Sequence, residues 1–325
     1  MENLTPMLKQ YQEAKNLYPG SILFFRLGDF YEMFYDDARK ACGILDIVLT
    51  SRDAGKSGKA PMCGIPYHAA DTYIAKLIKA GLKVAICEQV EDPALAKGIV
   101  KREVIRVITS GTFIDETNPE ARSLACICFN DKKIGLSLTN TASGAIKTQE
   151  YSDPRQITEI LTKNFIYEYV FPLSQEPKIK EIFKHPALRN HSTMLSPFED
   201  WAFNTDLSHK ALCEHFHTHN LRGFGIEEMP AAVAASGALL EYLKQIHKQP
   251  LRHIDKISLY LDSDYVFISP AACFGLELEN LLKTIDHTRS SLGRRKFRDW
   301  LYHPLKIPWE ILRRQDAVSL LRDNP

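Results

Sequence analysis

A two-residue turn between two apolar runs constrains the fold of this chain more than any other feature. Residues 22–27 and 30–35 are rich in aromatic and aliphatic side chains, and Gly28-Asp29 separates them. A glycine-first pair between β-prone runs is a strong hairpin signal, because glycine readily adopts the positive φ that tight hairpin turns need. The sequence therefore predicts an antiparallel strand pair here.

Side-chain alternation in the second strand would place Phe30, Glu32 and Phe34 on one face. On this pattern alone, Phe30 is a core residue and Glu32 a solvated one. The alternative is a nucleic-acid wedge, since an aromatic ring stacked on a base gains roughly 1–3 kcal/mol. Phosphates repel a carboxylate at Glu32, so this side chain would have to accept a hydrogen bond from a displaced base. The pattern leaves both interpretations open.

The elements around the hairpin predict a mixed α/β domain over residues 1–115. Thr5-Pro6 is a typical helix start, with a capping side chain followed by proline at the first helical position. We expect helices at 7–17, 36–45 and 68–79, strands at 47–50, 83–87, 104–109 and 113–114, and a polar loop at 51–59.

Two further regions follow a predicted linker at 116–122, which contains Asn118-Pro119. The first, residues 123–228, is expected to be a second α/β domain. Its predicted strands are 124–129, 134–139, 145–151 and 167–171, with a helix at 157–162. The second, residues 229–325, is expected to be helical, with helices at 231–247, 276–285, 292–301 and 309–321.

Charge offers only local signals, because 41 basic residues nearly balance 40 acidic ones. Any contact with nucleic acid must therefore rest on clusters. One cluster, Lys97, Lys101, Arg102 and Arg106, predicts phosphate contacts near the end of the first domain, although such runs are commonly just solvated faces. A second cluster, Arg289, Arg294, Arg295, Lys296 and Arg298, is expected to serve packing or domain contacts.

The remaining composition indicates a cytoplasmic protein without a membrane segment. The N-terminus lacks the basic start and apolar run of a signal peptide, and no apolar stretch approaches the roughly 20 residues of a membrane helix. The seven cysteines include no CxxC pair, which predicts reduced thiols.

Three short motifs are weak signals for chemistry. Gly55-Lys56-Ser57 ends like a phosphate-binding loop, but Thr50 occupies the position of the earlier glycine, so the chain has no Walker A sequence. The histidines at 215, 217 and 219 have no second ligand cluster at zinc spacing, and we expect no metal. Asp36-Asp37 could suggest the carboxylate pair of a nuclease. The pair begins a predicted helix, however, where acidic side chains are stabilised by the positive end of the helix dipole.

Several motifs together resemble the bacterial DNA mismatch repair family MutS. FRLGDFYEMFYDDA at 25–38, MCGIPYHA at 62–69, VAICEQ at 84–89 and GT at 111–112 are similar to the mismatch-recognition domain. LRGFGI at 221–226 is similar to the end of the connector. LEL at 276–278, DHT at 286–288, LGRR at 292–295, RDWL at 298–301 and PL at 304–305 are similar to the start of the helical lever domain.

The resemblance implies a role for each domain. Phe30 would be the intercalating wedge and Glu32 the carboxylate that hydrogen-bonds a mispaired base in double-stranded DNA. The fold would be a mixed α/β recognition domain, an RNase H-like α/β connector that binds a MutL-type partner, and the start of a helical lever.

The family's ATPase site lies toward its C-terminus, so the resemblance implies that ATP and Mg belong to a part that this chain lacks. We therefore expect no cofactor and no ATP hydrolysis for the 325 residues. The full-length protein would be a homodimer, and this chain, as a truncated N-terminal portion, would be a monomer.

The chain departs from the family pattern in three places. Residues 271–277 lack the arginine and asparagine usual before the Leu-Glu pair, and the loop from that pair to 286–288 is short. Asn140 stands where an aspartate is common. These departures concern the connector and lever rather than the recognition domain.

Two alternative functions remain at this point. An RNase H-like nuclease would need several acids around metal ions, but the three strands between 124 and 151 carry none before Glu150. A protein-interaction module is the other alternative, and it is compatible with DNA binding.

Overall fold

A computed structural model of the chain contains two six-stranded mixed sheets followed by a helical region. It describes residues 4–55, 58–91, 98–113, 122–140, 144–164, 166–185, 188, 193–260, 265–266, 268 and 270–323. Both sheets combine parallel and antiparallel pairs, so the expected mixed α/β class is confirmed.

The first sheet has the strand order β3-β4-β2-β1-β5-β6. Its only parallel pair among the described strands is β1 with β5. The strands are β1 (Ser21–Leu27), β2 (Phe30–Phe34), β3 (Thr50–Asp53), β4 (Lys59–Pro66), β5 (Lys83–Gln89) and β6 (Arg102–Ile108), and the helices are α1 (Pro6–Leu17), α2 (Tyr35–Leu45) and α3 (Ala70–Lys79).

The predicted hairpin is confirmed as β1 paired with β2, with Leu27 opposite Phe30. Gly28 has a φ of +57°, the region that glycine enters without steric cost. The strand predicted at 47–50 is wrong, because regular pairing begins only at Thr50. The segment predicted as a loop instead contains β3, whose four residues are all exposed and so show no burial pattern.

Helix α1 covers one face of the first sheet. The Tyr11 ring packs edge-on against Phe25 at 5.5 Å and Phe34 at 5.0 Å between ring centroids. The Tyr11 hydroxyl donates to Asp37 at 3.1 Å, and Lys15 forms an ion pair with the same carboxylate at 2.7 Å. Helices α2 and α3 lie against the opposite face, so both faces have a core.

The second sheet has the order β11-β10-β7-β8-β9-β12. Strands β7, β8 and β9 form an antiparallel meander, as the sequence predicts, and β10, β11 and β12 add parallel pairs. These strands are β7 (Ser123–Asn130), β8 (Lys133–Asn140), β9 (Ala145–Tyr151), β10 (Ile166–Pro172), β11 (Met194–Phe198) and β12 (Lys256–Leu259), with helices α4 (Pro154–Lys163), α5 (Glu176–Ile182), α6 (Thr205–His215) and α7 (Pro230–His247).

Helix α7 belongs to the second sheet, which corrects the expected start of the helical region at residue 229. A Cβ on Gly135 of β8 would lie 1.8 Å from the Ala231 carbonyl oxygen, so the helix approaches the strand as closely as glycine allows. The Ser137 and Ser236 hydroxyls are hydrogen-bonded at 2.9 Å. A domain boundary at residue 229 therefore separates α7 from the second sheet, on which α7 is buried.

The remaining helices are α8 (Pro270–Gly275), α9 (Leu278–Ile285), α10 (Ser291–Tyr302) and α11 (Pro308–Asp323). Two arginines of the second basic cluster form ion pairs among them, Arg294 with Asp286 at 2.9 Å and Arg298 with Glu279 at 3.0 Å. These contacts agree with the packing role predicted for that cluster. No helix in the described ranges is both long and apolar enough to cross a membrane.

A buried carboxylate, Glu168 of β10, joins the two sheets. One of its oxygens accepts hydrogen bonds from the Thr109 hydroxyl and, at 3.0 Å, from the Gly111 amide. The other accepts from the hydroxyls of Ser196, at 2.5 Å, and Tyr242. Thr109 and Gly111 follow β6, so this carboxylate fixes the end of the first sheet onto the second.

Candidate nucleic-acid interface

The end of the β1–β2 hairpin exposes an aromatic ring on the α1 face of the first sheet. Phe34 is 1% exposed beneath Tyr11, whereas Phe30, four residues earlier on the same face, is 49% exposed. The Glu32 side chain lies between them at 14% exposed. This face of β2 is therefore buried at Phe34 and exposed at Phe30, because α1 covers only the C-terminal end of the strand.

Strand β4 places a glycine beside Glu32. In the β2–β4 register, Phe30 lies opposite Pro66 and Glu32 lies opposite Gly64. A Cβ added to Gly64 would lie 3.6 Å from the Glu32 Cγ. That distance is ordinary van der Waals contact, and the carboxylate itself is paired with a neighbouring group.

That neighbouring group is Arg52 of β3, which the sequence-based prediction missed. Its guanidinium forms a 2.5 Å ion pair with a Glu32 carboxylate oxygen and is itself 43% exposed. An exposed pair of this kind contributes about 0.2–1 kcal/mol to stability. The positive charge of Arg52 also offsets the negative charge of this carboxylate on the surface of the sheet.

Arg26 of β1 holds the turn from the opposite face. Its Nε donates to the Gly28 carbonyl at 2.5 Å, and its guanidinium lies 3.6 Å from the centroid of the Tyr67 ring. The Tyr67 amide in turn donates to the Asp29 carbonyl at 3.0 Å. Both residues of the turn are thus bound through their carbonyl oxygens.

The described members of the first basic cluster differ in exposure. Lys101 is exposed and forms a 2.6 Å ion pair with Glu103, and Arg106 is exposed. Lys97 lies outside the described residues.

Arg102 differs from these exposed residues because it binds groups of the protein itself. Its Nε donates to the Arg26 carbonyl at 2.6 Å, and one terminal nitrogen donates to Gln10 and to the Val100 carbonyl. Partial burial lowers the pKa of Arg102. Two of the three guanidinium nitrogens of Arg102 thus donate to protein groups, and the role predicted for Arg102 at a phosphate stays a prediction.

The weak motifs have structural explanations where the structure describes them. The His215 ring donates to the Ile254 carbonyl at 2.7 Å, and burial lowers the pKa of His215, which favours the neutral ring. In the described ranges, no three His, Cys, Asp or Glu side chains are grouped so that they could hold a metal ion. Asp37 is buried with Lys15 and Tyr11. Lys56 and Ser57 lie outside the described residues.

The acids of the second sheet also have structural partners. Glu150 accepts from the Ala231 amide at 3.0 Å and lies 3.6 Å from Lys133. Glu168 is surrounded by donors from both sheets. These contacts give no support to the nuclease alternative, since each carboxylate already binds protein groups.

Fold and site together define a multidomain α/β protein that exposes the Phe30 ring at the end of the β1–β2 hairpin, whose turn is fixed by hydrogen bonds. Family profiles match the chain in three consecutive ranges, MutS domain I at residues 5–117, MutS domain II at 122–255 and MutS domain III at 272–325. These matches leave little of the chain uncovered, and the chain belongs to the MutS family.

Curated relatives align with essentially the whole chain. The DNA mismatch repair protein MutS of Lachnoclostridium phytofermentans is 42% identical over 100% of this chain and 36% of its own length. The MutS proteins of Alkaliphilus oremlandii and Symbiobacterium thermophilum are 37% and 39% identical, over 100% and 99% of this chain. The chain spans 39% and 38% of those two relatives.

Proposed function

We propose that the first sheet recognises mispaired bases in double-stranded DNA, as part of DNA mismatch repair. Phe30 is inserted at the mispaired step, and Glu32 accepts a hydrogen bond from the displaced base. The observation that carries this proposal is the position of Phe30, an aromatic ring half exposed at the end of a hairpin whose turn is bound on both carbonyls.

The energetics of insertion favour a mismatch. Stacking a base on an aromatic ring gains roughly 1–3 kcal/mol, while opening a base step costs a few kcal/mol and least where pairing is already defective. The two terms are similar in size, so Phe30 would enter a mismatched step more readily than a matched one.

Glu32 adds discrimination against ordinary duplex. A carboxylate near phosphates is unfavourable unless it accepts a hydrogen bond from a base, and a displaced base frees the pairing-edge donors that a paired base keeps occupied. Strand alternation puts Glu32 on the same face as Phe30, and the ion pair with Arg52 holds its carboxylate there. Arg52 also lies where it offsets the negative charge of the carboxylate during approach.

The central experiment compares a mismatched duplex with its perfect counterpart, using the 325-residue chain. Fluorescence anisotropy gives the two dissociation constants, and 2-aminopurine beside the mismatch reports unstacking. We expect Phe30→Ala to remove most of the discrimination, a loss of about tenfold or more, because one stacking contact disappears.

The matched control is Trp201→Ala, which removes an exposed aromatic ring from the short 3-10 helix after β11, far along the chain from the hairpin. We expect it to leave both dissociation constants unchanged. Unchanged discrimination in Phe30→Ala would show that the wedge assignment is wrong.

Properties of the full-length protein are proposed on the family resemblance alone. We propose that ATP, Mg and the homodimer interface belong to the part of the longer relatives that this chain does not cover. The 325 residues would then bind DNA as a cytoplasmic monomer without ATP turnover. Measurable ATP hydrolysis by the purified chain would contradict this proposal.

A second proposed function is binding of a MutL-type partner through the second sheet. A groove of about 520 Å³ lies at the carboxyl ends of β7 and β10, lined by Phe129, Trp201 and Phe203 among others. Trp201 is 57% exposed beside it, and interfaces are enriched in such aromatic residues. We expect Trp201→Ala to weaken partner binding and Phe30→Ala to leave it unchanged, as measured by biolayer interferometry.

A further inference from the structure

We infer that Arg26 is a positioning residue for the mismatch wedge, acting through the backbone of the turn. The inference rests on the proposed function of Phe30. Arg26 lies opposite Tyr31 in the β1–β2 register, whereas Phe30 lies opposite Leu27. The two side chains therefore occupy opposite faces of the sheet. Arg26 reaches Phe30 through the neighbouring Gly28, Asp29 and Tyr31, whose ring centroid lies 5.6 Å from the guanidinium.

The turn needs such support because of its own composition. Gly28 has a positive φ, and nothing lies within 4 Å of the position of its missing Cβ. Glycine loses more conformational entropy on ordering than any other residue, so a turn that contains it is costly to order. If the turn became ordered only on DNA, that cost would reduce the binding free energy, whereas a turn fixed beforehand avoids it.

The contacts of Arg26 fit this task. One nitrogen donates to the Gly28 carbonyl, and the planar guanidinium stacks on Tyr67, whose amide binds the Asp29 carbonyl. The Glu88 carboxylate lies 3.5 Å from the guanidinium and also accepts a hydrogen bond from the Tyr31 hydroxyl. Lysine keeps the charge but lacks both the planar face and the fixed donor geometry.

A competing role for Arg26 is direct contact with a phosphate. The side chain is only 18% exposed, and its charge is already paired with Glu88. The roles are distinguishable by salt dependence, because each lost phosphate contact reduces the slope of log affinity against log salt by about 0.9. A positioning residue leaves that slope unchanged.

The test uses Arg26→Lys, Tyr67→Leu and the double variant. Arg39→Lys is the matched control, because it changes an exposed arginine of α2 that pairs with Asp36. We expect the ratio of mismatched to matched affinity to fall about three- to tenfold in each single variant. The double variant should lose little more than either single one, because the two side chains support one turn.

A second measurement needs no DNA. Hydrogen exchange of peptides spanning residues 27–33 should accelerate in Arg26→Lys, while peptides from β5 keep their protection. Acceleration across the whole first sheet would show a general folding role and overturn the inference. So would unchanged exchange in residues 27–33.

The DNA outcomes separate this inference from the proposed function. If Phe30→Ala abolishes discrimination and Arg26→Lys preserves it, the positioning role is wrong and the wedge stands. Equal weakening on both duplexes with a reduced salt slope would make Arg26 a phosphate contact, which also overturns the inference. If Phe30→Ala has no effect, the wedge itself fails, and the exchange result alone decides whether Arg26 fixes the turn.

Discussion

At the residue scale, the proposed recognition site is a pair of side chains with opposite demands. Phe30 has to be exposed to reach a base step, and Glu32 has to carry a charge where phosphates repel it. The structure meets both demands on one strand face, with α1 ending short of Phe30 and Arg52 paired with Glu32 at 2.5 Å. Discrimination would therefore arise from one attractive contact and one repulsive charge.

Replacing Glu32 by glutamine separates these two terms. The amide keeps the size and an acceptor oxygen but removes the repulsion, so we expect tighter binding to matched duplex, about threefold to tenfold at low salt, and reduced discrimination. Anisotropy titrations at two salt concentrations measure the effect, which should shrink at the higher one.

Glu13→Gln, a charge change on the exposed side of α1, is the control for net charge. If it tightens matched binding as much as Glu32→Gln does, the effect is general attraction rather than a local role of Glu32.

At the element scale, the hairpin was predictable because glycine marks its turn and alternation marks its faces. Strand β3 was not, since four exposed residues carry no burial pattern, and Arg52 was missed with it. The position of α7 was equally hidden. Its residues are buried on nearly all sides, so its sequence gives the helix but not the sheet it packs on.

The turn also makes a prediction about stability. Gly28→Ala places a Cβ on a residue with φ of +57°, and we expect the free energy of unfolding to fall by about 1 kcal/mol. Urea denaturation followed by circular dichroism measures it.

Gly43→Ala is the matched control, because Gly43 lies within α2 with open space at its Cβ position. Alanine there should raise the free energy of unfolding by about 0.5–1 kcal/mol. Equal signs for the two substitutions would contradict the assigned backbone conformations.

At the scale of the whole molecule, the first sheet depends on the second for its position. Glu168 binds groups from β6's end, β11 and α7 at once, and Lys83 of β5 lies 3.9 Å from it. Lys83 also donates to the Tyr242 hydroxyl at 3.1 Å. The sequence did not predict this junction. Glu168 is a single acid in an apolar strand, and the groups that donate hydrogen bonds to it are distant in sequence and meet only in the folded protein.

Glu168→Gln tests whether the charge, rather than the shape, of this side chain stabilises the junction. A glutamine can direct its oxygen toward the Gly111 amide and its nitrogen toward hydroxyls that can reorient. Lys83, however, loses the nearest negative charge. We expect the free energy of unfolding to fall by about 1–3 kcal/mol, as measured by urea denaturation.

Where Glu168→Gln loosens the structure is more informative than how much stability it loses. Hydrogen exchange should accelerate at residues 109–113 and leave β7 and β8 protected, because the substitution weakens the junction rather than the sheet. Glu181→Gln, an exposed member of an ion pair with Lys184, should change stability by less than about 0.5 kcal/mol. Loss of protection throughout the second sheet would instead make Glu168 an ordinary core residue of that sheet, without a special role in joining the first sheet to it.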